Sequence, residues 1–388
     1  MLDMRQLTVY VNRLNQVICL GLTPAANVTK NLEEEFKMKP VPTRIVSLML
    51  GAFLLSAFSV LSGSASAKEV NLTYSNFFPP SHVQSKLAQS WCEAVEKRTN
   101  GEVKISYYAG NTLVKAAQIY DGVVTGRTDI GMSCLLYTRG RFPLMDVINL
   151  PFGNPSGRFA TAVFNELYDQ FKPAELSDTK VMFLHAHGPG LIHTQKKEVK
   201  TMADLKGLKL RSPGSVAGMI KALGATPVSM PMPEVYQALQ KGVVEGAVYP
   251  EETNKGWKMG EVTDYTIACY PTAYSVGFFV VMNQAKWDAL SDGAKTAIQA
   301  INHEWAAKHG AAWDESDYEG VTFSLGLGNA MIGIAPDEAL RWKEAVTPVF
   351  DTYLEKTEKR GVPGQEALKF LNDRLDTYNQ GNFESSYL

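Results

Sequence analysis

Apolar and polar residues alternate through Val70-Asn-Leu-Thr-Tyr74, and the β-branched and aromatic residues there predict a strand. Phe77-Phe-Pro-Pro80 reads as a loop. Ser81 then reads as the cap of a helix whose apolar positions include Val83, Leu87, Trp91 and Val95. Asn100-Gly101 ends that helix, and Val103 to Tyr108 reads as the next strand. Strand, helix and strand in this rhythm predict a βαβ unit.

The most informative feature is an internal echo. Ile119-Tyr120-Asp-Gly-Val-Val-Thr-Gly126-Arg-Thr-Asp129-Ile-Gly-Met132 aligns without gaps with Val235-Tyr236-Gln-Ala-Leu-Gln-Lys-Gly242-Val-Val-Glu245-Gly-Ala-Val248, 116 residues later. Each copy has an aliphatic residue, a Tyr, a Gly six residues after the Tyr, and an acid three residues after the Gly. Each reads as a helix end, a Gly stop and a short buried strand. The pattern predicts two lobes built from the same kind of α/β unit. The segments from Ser133 and from Tyr249 onward then face each other across a cleft, because ligand crevices of open α/β sheets lie beyond the carboxyl ends of the strands.

The C-terminal third is helical in pattern. Ser291 reads as the cap of a long helix with Ala294, Ile298, Ile301 and Trp305 on one face, continuing past Trp313. Pro336 opens another helix, and further helices are predicted over 347–359 and 365–378. No low-complexity linker divides the chain. That favours lobes joined by crossing strands over domains on a tether.

Length and composition agree with this reading. The 388 residues suit two lobes of roughly 100–200 residues each. A net charge of −2, with no basic block, excludes a nucleic-acid surface. The N-terminus bears on the compartment. Met38, Lys39 and Arg44 precede an apolar run from Ile45 to Leu61, and Ala65-Ser-Ala67 follows. This is the form of a secretory signal peptide cut after Ala67. An uncleaved anchor is the other reading, though the run falls short of a span of ~20 residues. Residues 1–37 are expected to come from a start codon placed too early. Cys92, Cys134 and Cys269 remain beyond the cut, enough for one disulfide at most. They read more simply as small buried apolar residues.

The sharpest candidate for chemistry is Arg211. It ends the alternating strand Leu205-Lys-Gly-Leu-Lys-Leu-Arg211 and stands before Ser212-Pro-Gly-Ser215 and a helical pattern over 216–223. A planar guanidinium there matches a carboxylate with two parallel hydrogen bonds, and a helix start adds positive charge. A structural ion pair is the equal alternative from position alone. Tyr249 reads as a ligand contact or a packed aromatic, and so do Phe77, Phe78 and Trp257.

Catalytic patterns fail one by one. His303-Glu304 lacks the second His of a zinc-protease helix, and His185-Ala-His187 lacks a third metal ligand. No G-x-S-x-G elbow or P-loop occurs, and Gly326-Leu-Gly328 lacks the final Gly of a dinucleotide loop.

Several motifs carry a family resemblance. They are Gly140-Arg-Phe-Pro143 with Leu150-Pro-Phe152, Asp204-Leu-Lys-Gly-Leu-Lys-Leu-Arg211, and Met230-Pro-Met-Pro-Glu-Val-Tyr236-Gln-Ala-Leu-Gln240 with Gly242-Val-Val-Glu245-Gly246. Over 68–388 the chain resembles the solute-binding proteins of tripartite ATP-independent periplasmic (TRAP) transporters, the group named for binding four-carbon dicarboxylates. The resemblance implies an α/β, two-lobed periplasmic binding protein fold, with a ligand cleft between lobes and a long helix spanning both. It implies that the lobes close on a ligand and that the closed form docks on membrane permease subunits. Arg211 falls on the family's signature arginine, which pairs with the ligand carboxylate. Many members carry a second ligand arginine where this chain reads Gly188-Pro-Gly-Leu-Ile192, and an Asn where Tyr249 stands. Losing a cation and an amide while gaining a ring points to a monocarboxylate with an apolar or aromatic body.

The expected organisation is a signal peptide over 38–67, lobe I over 68–188 and lobe II over 189–276. A return to lobe I with the spanning helix follows over 277–316, then C-terminal helices, mainly of lobe II, over 317–388. The residues expected at the ligand site are Arg211, Tyr249, Ser133, Phe78, Trp257 and Gly190, with no catalytic residue, metal or cofactor. The expected partners are a small organic acid and the TRAP permease, in the periplasm. An exported enzyme acting on a carboxylate with the same two-lobed fold is the rival reading.

Overall fold

A computed structural model describes residues 69–388. The expected signal peptide (38–67) and the expected upstream extension (1–37) lie outside the described residues. The chain runs β1 (Val70–Asn76), α1 (Val83–Arg98), β2 (Val103–Tyr108), α2 (Ile119–Val124), β3 (Ile130–Cys134), α3 (Gly157–Phe171), β4 (Thr179–Ala186) and β5 (Gly190–Thr194). It continues through α4 (Met202–Leu205), β6 (Lys209–Ser212), α5 (Ala217–Ala222), β7 (Thr226–Ser229), α6 (Val235–Gln240), β8 (Gly246–Pro250), α7 (Glu252–Gly256) and β9 (Tyr265–Ala268). Last come β10 (Gly277–Asn283), α8 (Gln284–Asp288), α9 (Asp292–Gly326), β11 (Ala330–Gly333), α10 (Pro336–Ala345), α11 (Thr347–Arg360) and α12 (Gly364–Asn379).

Two mixed sheets form the two lobes. The first has the order β2-β1-β3-β10-β4, the second β11-β9-β5-β8-β6-β7. β1 lies parallel between β2 and β3, which is the predicted βαβ unit, and β10 runs antiparallel to both its neighbours. In the second sheet β6 runs parallel to β7 and β8, while β5 runs antiparallel to β8 and β9. The chain crosses between sheets after β4, after β9 and through α9. The first two crossings hold each other, since Gly190 N–H donates to the Tyr274 carbonyl at 2.7 Å.

The echo is structural. α2 and α6 occupy equivalent places, and Gly126 (φ 75°) and Gly242 (φ 70°) take the left-handed conformation that stops each helix. β3 and β8 follow and are buried along their whole lengths. A strand covered on both faces needs the continuous apolar run that both copies carry.

Local differences from the sequence reading have physical causes. Ser81 is not the cap of α1. His82 is, its Nδ1 accepting the Gln84 N–H at 3.2 Å, because the chain turns through Pro79 and places His82 at the helix start. The buried stripe of α1 is Ala88, Trp91, Cys92 and Val95, one step round from the predicted face. Asn302 and the Leu87 carbonyl fix its rotation by accepting the indole N–H groups of Trp91 and Trp305. Cys92, Cys134 and Cys269 are buried free thiols.

α9 begins on Ser291, whose Oγ accepts the Ala294 N–H at 3.1 Å. It packs on α1, α3 and β4 of the first lobe and on α7 and β11 of the second. Despite its 35 residues, no described helix is long and apolar enough to cross a membrane. β11 pairs with β9 of the second sheet, and α12 turns back to the other lobe. It lies against α3 of the first lobe, with Phe370 on Phe171 and Arg374 paired with Glu166 at 2.9 Å.

The junction of α9 with α7 is tight. A Cβ on Gly320 would stand 1.9 Å from the Glu251 carbonyl, and Glu252 N–H donates to Asp317 Oδ1 at 2.8 Å. Burial pushes the Glu251 carboxyl up to about 7, opposed by hydrogen bonds from Asn254 and Thr266. Two outcomes are expected. Gly320→Ala loses about 1–3 kcal/mol in urea unfolding, because backbone is what the new methyl meets. Gly326→Ala, which faces open space, loses nothing. For Glu251, the folded state holds its proton up to about 7 while the unfolded chain releases it near 4.5, so wild-type stability falls as pH rises through that window. Glu251→Gln lacks this loss. Its stability relative to wild type should therefore rise between pH 5 and pH 8, by an order of 3 kcal/mol. A pH-independent difference would refute the assignment.

Candidate functional site

The two sheets direct their strand ends at a shared crevice. From the first lobe come Phe77 and Phe78 after β1, Cys134 at the end of β3, Tyr137 after it, Phe278 of β10, and Trp313 of α9. From the second come Arg211 of β6, Met232, Tyr249 and Pro250 of β8, and Glu252, Thr253 and Trp257 at α7. His187, Tyr274 and Val276 enter from the crossing segments. Together they line the crevice where the two sheets meet.

Arg211 is the cation of this wall, and it is 3% exposed. Its Nε–H donates to the Met230 carbonyl at 3.0 Å and its Nη1 to the Val248 carbonyl at 3.2 Å. Among the described residues no carboxylate lies within 4.0 Å of it, so it is not half of a structural ion pair. Two backbone carbonyls orient the fork, and a guanidinium has five N–H donors, so donors remain for an anion. Tyr137 stands beside it. Its oxygen accepts the Met232 N–H at 2.9 Å, which leaves its own O–H to donate. Burial pushes this phenol up to about 12, and the Arg211 charge works against that rise. The helix expected after Arg211 is a single tight turn, Gly214–Val216, followed by the six residues of α5. Its dipole adds little.

Much of the remaining wall is aromatic. Trp257 stacks with Phe77 at 6.2 Å between centroids and lies 5.8 Å from Phe78. Trp313 stacks with Phe278 at 5.4 Å, and its indole N–H donates to His185 Nδ1 at 3.1 Å. That bond gives His185 a packing role, beside His309 at 4.5 Å. Burial holds His185 well below the usual imidazole range and takes His309 down to about 3. Burial likewise pushes the Cys134 thiol up to about 12. A neutral thiol is a poor nucleophile.

Of the residues predicted from sequence, Arg211, Tyr249, Phe78 and Trp257 reach the cavity. Tyr249 presents its ring only. Its hydroxyl lies 3.2 Å from Thr263 Oγ1 and 3.3 Å from Asn254 Oδ1, and the ring stacks on His193 at 3.8 Å. Ser133 and Gly190 do not reach the cavity. Strand alternation turns Ser133 to the opposite face, where its Oγ donates to the Ala116 carbonyl at 2.7 Å, and Cys134 takes the cavity side. Gly190 makes room for a ring, since a Cβ there would stand 2.4 Å from Tyr274 Cε1. Tyr137, His187, Glu252, Tyr274, Phe278 and Trp313 line the cavity too, and the sequence reading placed none of them at the ligand site. They sit on six different segments, and no local spacing signals their convergence.

Comparison with known proteins agrees with this geometry. Residues 74–357 match the family of bacterial extracellular solute-binding proteins, family 7. A monocarboxylate 2-oxoacid-binding periplasmic protein of Nostoc is 30% identical over 77% of this chain and 83% of its own. A TRAP solute-binding protein of Rhodoferax ferrireducens, solved with copurified benzoate, is 30% identical with a TM-score of 0.76, over 80% of this chain and 99% of that one. A marine metagenome TRAP solute-binding protein specific for aromatic acids, solved with 3-hydroxybenzoate, is 32% identical with a TM-score of 0.75, over 79% and 98%. Those relatives are transport binding proteins rather than enzymes. This chain therefore belongs to the family 7 extracellular solute-binding proteins, the solute-binding proteins of TRAP transporters.

Proposed function

We propose that the protein captures an aromatic or similarly apolar monocarboxylate in the periplasm and hands it to the permease subunits of a TRAP transporter. The observation that carries this reading is Arg211, a buried guanidinium without a counter-charge, set in a wall of rings. Among the described residues it is the one Lys or Arg lining the cavity. A single cation neutralises a single carboxylate, and aromatic faces bury the remainder of the ligand. A four-carbon diacid would bring a second charge into apolar surroundings with nothing to pair it. The benzoate and 3-hydroxybenzoate found with two related proteins, and the mandelate found with a third, fit the same chemistry.

Capture works by closure. Contacts already cross between the lobes: Ser215 Oγ donates to Asp146 at 2.8 Å, Met232 N–H to Tyr137, and His82 meets Glu252 at 2.5 Å. A ligand shifts the lobe equilibrium only by binding the closed form more tightly. Arg211 from one lobe and Tyr137 from the other give a carboxylate that difference. The periplasmic assignment rests on the family and on the signal pattern of residues 38–67.

Thermal-shift screening should show stabilisation by aromatic carboxylates and none by succinate or malate. At 100 times the dissociation constant the gain is about 2.7 kcal/mol. Arg211→Ala should lose at least about 30-fold in affinity, since an unpaired partner of a buried charge pair costs ~2–5 kcal/mol. Tight binding of succinate, or an Arg211→Ala protein of undiminished affinity, would sink the reading. The ligand should also be recovered unaltered after prolonged incubation. Intact-mass measurement of protein from the periplasm should give a chain beginning at Lys68, and a mass that retains residues 38–67 would indicate an anchor instead.

A further inference from the structure

Binding of one carboxylate uses Arg211 and Tyr137. The same cavity carries two hydrogen-bond acceptors that such a carboxylate cannot use. The first is His187. Its Nδ1 lies 2.6 Å from the Gly188 carbonyl, and that bond requires the proton on Nδ1. Nε2 is then a lone pair, and among the described residues it has no hydrogen-bond partner in the protein. The ring is fixed by edge contacts with Tyr274 at 5.5 Å and Trp313 at 6.1 Å. Its backbone carbonyl is held by Asn154 at 3.0 Å and Ser275 at 2.7 Å. Burial keeps the imidazole neutral by lowering it to about 4.

The second acceptor is Glu252, the one carboxylate lining the cavity among the described residues. Its Oε1 meets His82 Nε2 at 2.5 Å, and its Oε2 accepts the Thr253 hydroxyl at 3.0 Å. His82 uses Nδ1 to accept the Gln84 N–H, so its Nε2 is free to carry a proton toward Glu252. Gly256 leaves room for this arrangement, because a Cβ there would stand 2.1 Å from Glu252 Oε1. A carboxylate accepts about four hydrogen bonds, so capacity remains on the cavity side.

We propose that His187 Nε2 and the Glu252 carboxylate form an acceptor pole in the ligand cavity, and that this pole selects aromatic monocarboxylates bearing a hydroxyl group. The inference rests on the monocarboxylate reading above and adds the second recognition element. An unsubstituted ring strips water from both acceptors and returns no donor. A second carboxylate meets one negative charge and one lone pair, so diacids are rejected. His82 is a positioning residue that holds Glu252 from the other lobe.

Isothermal titration with benzoate, the three hydroxybenzoate isomers and isophthalate tests this on wild type, Glu252→Gln, His187→Phe and Arg211→Ala. In wild type the best hydroxybenzoate should bind at least about 10-fold more tightly than benzoate, the increment of a hydrogen bond to a charged group. Isophthalate should not bind. The ratio of hydroxybenzoate to benzoate affinity should fall several-fold in Glu252→Gln and in His187→Phe. The conservative Glu252→Gln keeps the test decisive if His187→Phe does not fold. Ratios near one for every isomer, with binding still dependent on Arg211, overturn the acceptor pole and leave the monocarboxylate reading standing. Isophthalate binding as tight as benzoate overturns the pole as well. Benzoate binding that survives Arg211→Ala undiminished overturns the anchoring reading itself, and no binding of any of these acids overturns both.

Discussion

A guanidinium sits almost wholly out of water between the two sheets, hydrogen-bonded to the carbonyls of Met230 and Val248 and to no carboxylate. An ion removed from water in this way costs several kcal/mol. Carbonyl dipoles offset part of that cost and a counter-ion offsets much more. The protein supplies the dipoles and omits the counter-ion, so a carboxylate ligand completes the arrangement. The aromatic wall follows from the same constraint. Phe77, Phe78, Trp257, Phe278 and Trp313 keep water away from Arg211, which strengthens its attraction for an anion.

Under the proposed closure, the two-lobed fold lets that charge be covered and uncovered. Two α/β units each end a buried strand at the crevice, and a left-handed glycine sets where each strand begins. Two crossing segments are tied at Gly190 and Tyr274, and α9 runs over both lobes. Few covalent links between two lobes are what a hinge needs, and the crossing segments line the cavity through His187 and Tyr274. The proposed closure and recognition therefore share residues. The His82–Glu252 contact adds to this, since each lobe contributes one partner and Glu252 faces the ligand space.

Much of the architecture was legible along the chain. Val70–Tyr74, the echo around Gly126 and Gly242, and the cap at Ser291 are local signals, and local signals survive folding. Arg211 was legible in part: it closes an alternating strand ahead of a Ser-Pro-Gly turn, which left a structural ion pair equally open, and the family resemblance singled it out. Ser133 was misread because the echo locates a strand end but leaves open which neighbour, Ser133 or Cys134, turns inward. Gly190 was misread because a glycine that seats a ring and one that touches a ligand look alike in sequence. The α1 cap moved from Ser81 to His82 because a proline turn shifted the helix start.

The sequence by itself determined the class of molecule: an α/β chain of two similar halves, a long C-terminal helix, one well-placed arginine, and no catalytic constellation. Tertiary structure alone decided what surrounds that arginine. Tyr137, His187, Glu252, Tyr274, Phe278 and Trp313 are brought together from segments up to 176 residues apart. Helical and strand periodicity report only what lies on one element's face. Which faces meet, and whether a hydroxyl such as that of Tyr249 is already engaged, depends on packing between elements distant in the chain.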